Sequence, residues 1–128
     1  MPQISSEELE SILAQFTGSE SYTRMNYPWA NLLLTDGVAY LCEHAKCYWL
    51  MDLIASYQPE KLYKYDFQHW TVKVQDRKAD VACDDGDGHI LVTQHIDFTD
   101  FPLDEVQLYA QPTIFPEHGL VVMLTSEY

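Results

Sequence analysis

The chain has 128 residues and carries 20 Asp and Glu against 7 Lys and Arg, a formal net charge of −13 at pH 7. That balance excludes direct binding to DNA, RNA or anionic membranes, while a 47% hydrophobic composition excludes disorder. The length suits one domain over residues 1–128 with a core of its own.

In chain order, Ser5 followed by Glu8 reads as a capping box that starts a helix with Leu9, Ile12, Leu13 and Phe16 on one face. Thr17, Gly18 and Ser19 are expected to end it, Gly18 as a left-handed cap. The aromatic stretch 22–29, with Pro28 inside, reads as extended. Thr35, Asp36 and Gly37 form a break and a helix cap, after which Val38, Leu41, Cys42 and Ala45 share a face. A kink is expected at Lys46. Beyond it Trp49, Leu50, Leu53, Ile54 and Tyr57 make a second apolar stripe that Pro59 terminates, with Asp52 on the opposite face.

From Phe67 the period changes to two. Trp70, Val72 and Val74 predict one strand, Val81 and Cys83 a second, and Ile90, Val92, Ile96 and Phe98 a third. Residues 76–78 and 84–88 form the turns, the second using Gly86 and Gly88 for positive φ. Val106, Leu108 and Ala110, then Leu120, Val122 and Leu124, read as two more strands. The expected fold class is α+β, with N-terminal helices packed on one face of an antiparallel, meander-type sheet of about five strands.

The strings 16–24 (FTGSESYTR), 35–41 (TDGVAYL) and 48–58 (YWLMDLIASYQ) resemble an uncharacterised family of small acidic bacterial, plasmid and phage proteins. The similarity runs from Phe16 to Tyr128. It implies a cytoplasmic accessory protein of a mobile element, with Gly usual at the position of Lys46, and it carries over no catalytic residue.

The charge is distributed unevenly. Residues 1–78 hold ten acids and all seven bases, a net of −3, whereas residues 79–128 hold ten acids and no base. On a meander, Asp97, Asp100, Asp104 and Glu105 fall at the same end as Arg77 and Lys78, while Asp84, Asp85 and Asp87 fall at the other, joined by Glu117. Those last four are the candidate partner-binding residues.

Cys42, His44 and Cys47, with Cys83, are the metal-capable groups, since zinc takes thiolate and imidazole ligands. On a continuous helix Cys42 and Cys47 lie about 140° apart around the axis, so buried packing is the plainer expectation. The 84–89 run lacks the Glu and the spacing of an EF-hand loop and reads as an acidic hairpin turn. None of the nucleophile, phosphate-loop or dinucleotide motifs is present, so neither an enzyme nor a cofactor is expected. His69 and His95 are expected to be solvated on the polar face of their strands. Tyr22, Tyr27, Trp29, Tyr63, Tyr65 and Phe67 belong either to a recognition groove or to the layer between helices and sheet.

Three cysteines without a Cys-x-x-Cys pair, and an N-terminus with neither a basic nor an apolar run, point to the cytoplasm. The longest apolar stretch, 47–55, is broken by Asp52 and too short to span a bilayer. The expected function is a non-enzymatic binding or accessory module engaging a basic or nucleic-acid-binding protein, in one version by imitating nucleic acid. The alternative is a small metal- or ligand-binding protein or hydrolase. An exposed sheet edge also allows a homodimer.

Overall fold

The computed structural model describes residues 5–17, 21–62, 65–114 and 117–128. Among them are three α-helices, α1 (Ser6–Leu13), α2 (Asp36–Ala45) and α3 (Tyr48–Ser56). The seven strands are β1 (Thr23–Tyr27), β2 (Ala30–Leu34), β3 (Gln68–Gln75), β4 (Lys78–Asp84), β5 (Ile90–Ile96), β6 (Glu105–Thr113) and β7 (Gly119–Leu124). They form one mixed sheet in the order β1-β2-β7-β6-β3-β4-β5.

Local rules account for the helices. The Ser5 hydroxyl accepts from the Glu8 N–H at 3.1 Å and caps α1. This helix closes at Leu13, earlier than its apolar pattern suggests, because Gln15 and Phe16 already donate to the carbonyls three residues back. The cap expected at Gly18 and Ser19 lies outside the described residues. Thr35 caps α2 through its Oγ1, which accepts from the Val38 N–H. The apolar face of α2, Val38, Leu41, Cys42 and Ala45, is buried.

Lys46 separates α2 from α3 in the left-handed conformation, φ 55° and ψ 45°. A side chain in that region costs about 1–2 kcal/mol, partly offset by its lower chain entropy when unfolded. Lys46→Gly is therefore expected to stabilise the protein by about 0.5–1 kcal/mol, read as a higher urea midpoint with an unchanged slope. A loss of stability would mean that the Lys46 side chain has a structural role.

The strand reading needs three corrections. The extended stretch 22–29 contains β1 and the turn Pro28-Trp29, which pairs β1 with β2 antiparallel from Tyr27↔Ala30 to Thr23↔Leu34. Two strands thus precede α2, and the sheet has seven strands rather than about five. It is also not a single meander. Only β3, β4 and β5 follow that path. The chain then crosses back and lays β6 antiparallel on the other side of β3, with Trp70↔Leu108 in register. β7 pairs antiparallel with β6 and parallel with β2, Leu33↔Val121, which makes the sheet mixed.

The crossing segment 97–104 is tied down where it passes the β3–β4 hairpin. Thr99 N–H donates to the Arg77 carbonyl and Val74 N–H to the Asp104 carbonyl, both at 2.8 Å. Phe101 and Leu103 are buried, Phe101 edge-on to Trp49. Apolar side chains from the segment and from α1, α2 and α3 cover one face of the sheet and form the main core.

The third correction concerns β5. Cys83 pairs with Val92 but Asp84 with Ile90, so Leu91 is an extra residue in the strand. This bulge takes Ile90 out of the inward alternation and leaves it exposed. Phe98, also expected inside, lies beyond the end of β5 and is 67% exposed.

Candidate functional site

The turn from Asp84 to His89 shows what its carboxylates do. Asp84 accepts from the Gly86 N–H at 2.8 Å through Oδ1 and meets His69 Nδ1 at 2.9 Å through Oδ2. Asp85 Oδ1 accepts from the N–H groups of Asp87 and His89, and Oδ2 meets His89 Nδ1 at 3.0 Å. These are Asx turns, in which a short carboxylate satisfies the backbone it bends. The Asp87 amide, assisted by the His89 amide and imidazole, holds the Asp85 carboxyl below its ordinary range. A depressed carboxylate stabilises the fold above its unfolded pKa, and that stabilisation is lost as pH falls through the folded value.

Gly86 and Gly88 have φ of 92° and 90°, the left-handed region the turn requires. A Cβ on Gly86 would also lie 2.9 Å from the Phe67 ring. Two of the three aspartates therefore build the turn, and Asp87 is the one that projects into solvent. Glu117 accepts from Arg24 Nε, an ion pair between β1 and the β6–β7 connection.

His69 is not freely solvated. Its Nε2 faces Gln107 Oε1 at 2.9 Å, and the Gln107 amide nitrogen donates in turn to Glu105. With Asp84 on the other nitrogen, both ring nitrogens are engaged. His95 is solvent-exposed as expected, with Asp80 at 2.8 Å and Asp97 at 3.3 Å beside it.

The kink at Lys46 changes the geometry of the cysteines. A continuous helix would hold Cys42 and Cys47 apart, but here the Cys47 N–H donates to the Cys42 carbonyl at 3.2 Å. The two buried residues meet across a Schellman-type helix end, where a contact between these positions is usual. Cys83 lies on β4, its Sγ against the Asp84 carbonyl, and His44 stacks on Tyr40 at the surface. The four candidate ligands are not brought together, and no group of three or more His, Cys, Asp or Glu among the described residues is placed to hold a metal ion. Hydrogen bonding to Cys42 and burial push the Cys47 thiol up, and burial above all pushes Cys83 up to about 12. Thiols in that state are poor nucleophiles.

The aromatic residues do not form one groove. Tyr27 and Trp29 pack together against α3, where Tyr27 donates to Asp52 and Trp29 Nε1 to the Ala55 carbonyl. Tyr22 lies on the opposite face of the sheet against a small cluster of Leu33, Val121 and Met123. Phe67 packs with Tyr109 and Tyr128. Tyr65 packs against the main core, and Tyr63 is outside the described residues.

At the other end of the sheet the carboxylates are arranged differently. Asp76, Asp100 and Asp104 line an open cleft of about 760 Å³ between the β3–β4 turn and the crossing segment, with Arg77 as the one basic lining residue among the described residues. Asp76 and Arg77 form a two-residue turn with φ of 53° and 64°, which presents both side chains outward. Beside it, Leu103 and Glu105 line a second cleft with Glu10. The sequence places Asp100, Asp104 and Glu105 at this end beside Arg77 and Lys78 but does not show that Glu10 and Asp76 join them in the clefts, because the members come from α1, the hairpin turn and the crossing segment. Their only local signal is the Asp-Phe-Pro-Leu-Asp-Glu run at 100–105.

No helix among the described residues is long and apolar enough to cross a membrane. The model of DUF6876, a family of unknown function, matches residues 7–128, nearly the whole chain. No curated protein and no solved structure matches.

Proposed function

We propose that this chain, which belongs to the DUF6876 family of unknown function, is a non-enzymatic binding module that engages a basic protein through its acidic surface. The carrying observation is the cleft at the hairpin end. There Asp76, Asp100 and Asp104 face solvent and, among the described residues, their side chains cap no turn or strand, unlike Asp84 and Asp85. Exposed carboxylates in such a cleft focus a negative potential that attracts cationic partners.

Asp87 adds an exposed charge at the far end, whereas Asp84 and Asp85 hold their turn and Glu117 is paired with Arg24. In its finer form the reading is imitation of nucleic acid. Carboxylates set against a cationic channel compete there with phosphates, which follow one another about every 1.7 Å along a duplex. A role as accessory protein of a mobile element accords with the resemblance of its motifs. Three free cysteines suit a reducing compartment, the cytoplasm.

Pull-down from a bacterial lysate, followed by mass spectrometry at increasing salt, tests this. Basic nucleic-acid-binding proteins are expected at about 0.05 M salt and are expected to be released by about 0.3 M, as screening shortens the reach of the field. The triple variant Asp76→Asn, Asp100→Asn, Asp104→Asn is expected to lose at least tenfold of the capture, and Asp87→Asn much less. Capture that survives high salt, or that ignores the triple variant, would overturn the reading.

A further inference from the structure

The second cleft, about 390 Å³, lies where the C-terminal end of α1 meets the start of β6 and the end of β7. Its floor is apolar. Leu13, Leu103, Val106 and Leu124, each buried in the fold, supply it. Its rim is anionic. Glu10 and Glu105 line it from elements far apart in the chain, both residues are exposed, and no lining residue among the described residues is Lys or Arg. The last turn of α1 holds no basic residue, and the Ser126 hydroxyl donates to its Leu13 carbonyl at 3.4 Å, so the helix end adds a partial negative charge without a cation against it in that turn. Lys73, across the strand from Glu105 in register, is outside the cleft.

An apolar floor beneath two carboxylates is complementary to a cation on an aliphatic stem, the shape of a basic side chain. Guanidinium fits better than ammonium. Its planar fork can give N–H groups to two separate carboxylates while its stem lies on leucines. A second copy of this chain is a poor occupant at −13 each. We infer that this cleft receives an arginine side chain of the basic partner. The inference rests on the proposed function and names its point of contact.

The test uses a blocked tripeptide, Gly-Arg-Gly, and its neutral counterpart with citrulline in place of arginine, titrated into isotopically labelled protein and followed by backbone amide shifts. The arginine peptide is expected to move the amides of 103–107 and 125–126, and the citrulline peptide to bind about tenfold more weakly or worse, since it lacks the charge that strengthens a hydrogen bond to a carboxylate. The double variant Glu10→Gln, Glu105→Gln, on the exposed rim, is expected to weaken the arginine peptide by a similar factor with an unchanged circular dichroism spectrum. Equal binding of the two peptides, shifts elsewhere, or an indifferent double variant would overturn the inference. If that variant still captures basic proteins as well as the parent does, the cleft assignment alone fails. If the parent captures none, the broader reading fails, and the peptide titration still decides the cleft.

Discussion

Truncating Trp70 to alanine is expected to cost about 3–5 kcal/mol, a large part of the roughly 5–15 kcal/mol that holds a domain of this kind together. Trp70 is fully buried on β3, with Leu108 on one flanking strand and Cys83 on the other. Its ring fills the space between sheet and helices beside Tyr57. Its indole N–H donates to Gln68 Oε1 at 3.1 Å. Gln68 in turn exchanges two hydrogen bonds of 2.9 Å with Gln58, whose amide also donates to the Ile54 carbonyl at the end of α3. One buried polar chain thus joins the central strand to the helix layer, and the indole completes it.

Trp70→Ala removes the packing and leaves a cavity. Trp70→Phe keeps most of the volume and loses one hydrogen bond, so about 1–2 kcal/mol is expected. Urea unfolding with a slope common to both variants separates them. A cost below about 1 kcal/mol for Trp70→Ala would place the ring outside the cooperative core.

Glu127→Ala is expected to cost about 2–3 kcal/mol, although the residue is next to last in the sequence. Its Oε1 accepts from Thr35 Oγ1 at 2.6 Å and from the Leu124 N–H at 3.0 Å, and its Oε2 accepts from the Gly37 N–H at 3.2 Å. It thus caps the cap of α2, places an anion at the positive pole of that helix, and ties it to the end of β7. Gly37 explains the close approach. A Cβ there would meet Leu124 Cδ1 at 2.5 Å and Glu127 Oε1 at 2.6 Å.

Gly37→Ala is accordingly expected to destabilise the parent protein and to cost less once Glu127 is alanine, a coupling that a double-mutant cycle measures. Glu127→Gln, which keeps one acceptor oxygen and loses the charge, should fall between. Equal melting temperatures for the parent and Glu127→Ala would show that the C-terminal turn is not part of the folded unit.

The parts of the fold legible in the sequence are those governed by neighbours in the chain. Ser5 and Thr35 are caps because a hydroxyl reaches an amide three residues on. Lys46 breaks the helix where the apolar stripe changes face. β3 and β4 follow the alternation of Trp70, Val72, Val81 and Cys83. Where alternation failed, at Ile90, a bulge had shifted the register, and a bulge leaves no signature in a short apolar run.

The candidate site divides in the same way. The acidic run at 84–87 stands out in the sequence, yet its conspicuous Asp-Gly pattern is the pattern of a turn that uses carboxylates to satisfy itself. That Asp100 and Glu105 share the end of the β3–β4 turn follows from the meander, but the cleft of Glu10 and Glu105 could not be read, because these two become neighbours only once α1 has packed on the sheet and β6 has crossed to the far side of β3.

By itself, then, the sequence determined an α+β protein with a strong negative charge, the beginnings of its helices, its tight turns and the inward faces of its central strands. Each of these depends on dihedral preference, capping or periodicity within a few residues. Tertiary structure alone decided that seven strands form one mixed sheet, that β2 and β7 run parallel, that Cys42 meets Cys47, and which carboxylates remain free. Those outcomes depend on pairings between distant segments. Strand edges offer much the same backbone groups to any partner, and the choice among them falls to the burial of whole faces, which no local stretch encodes.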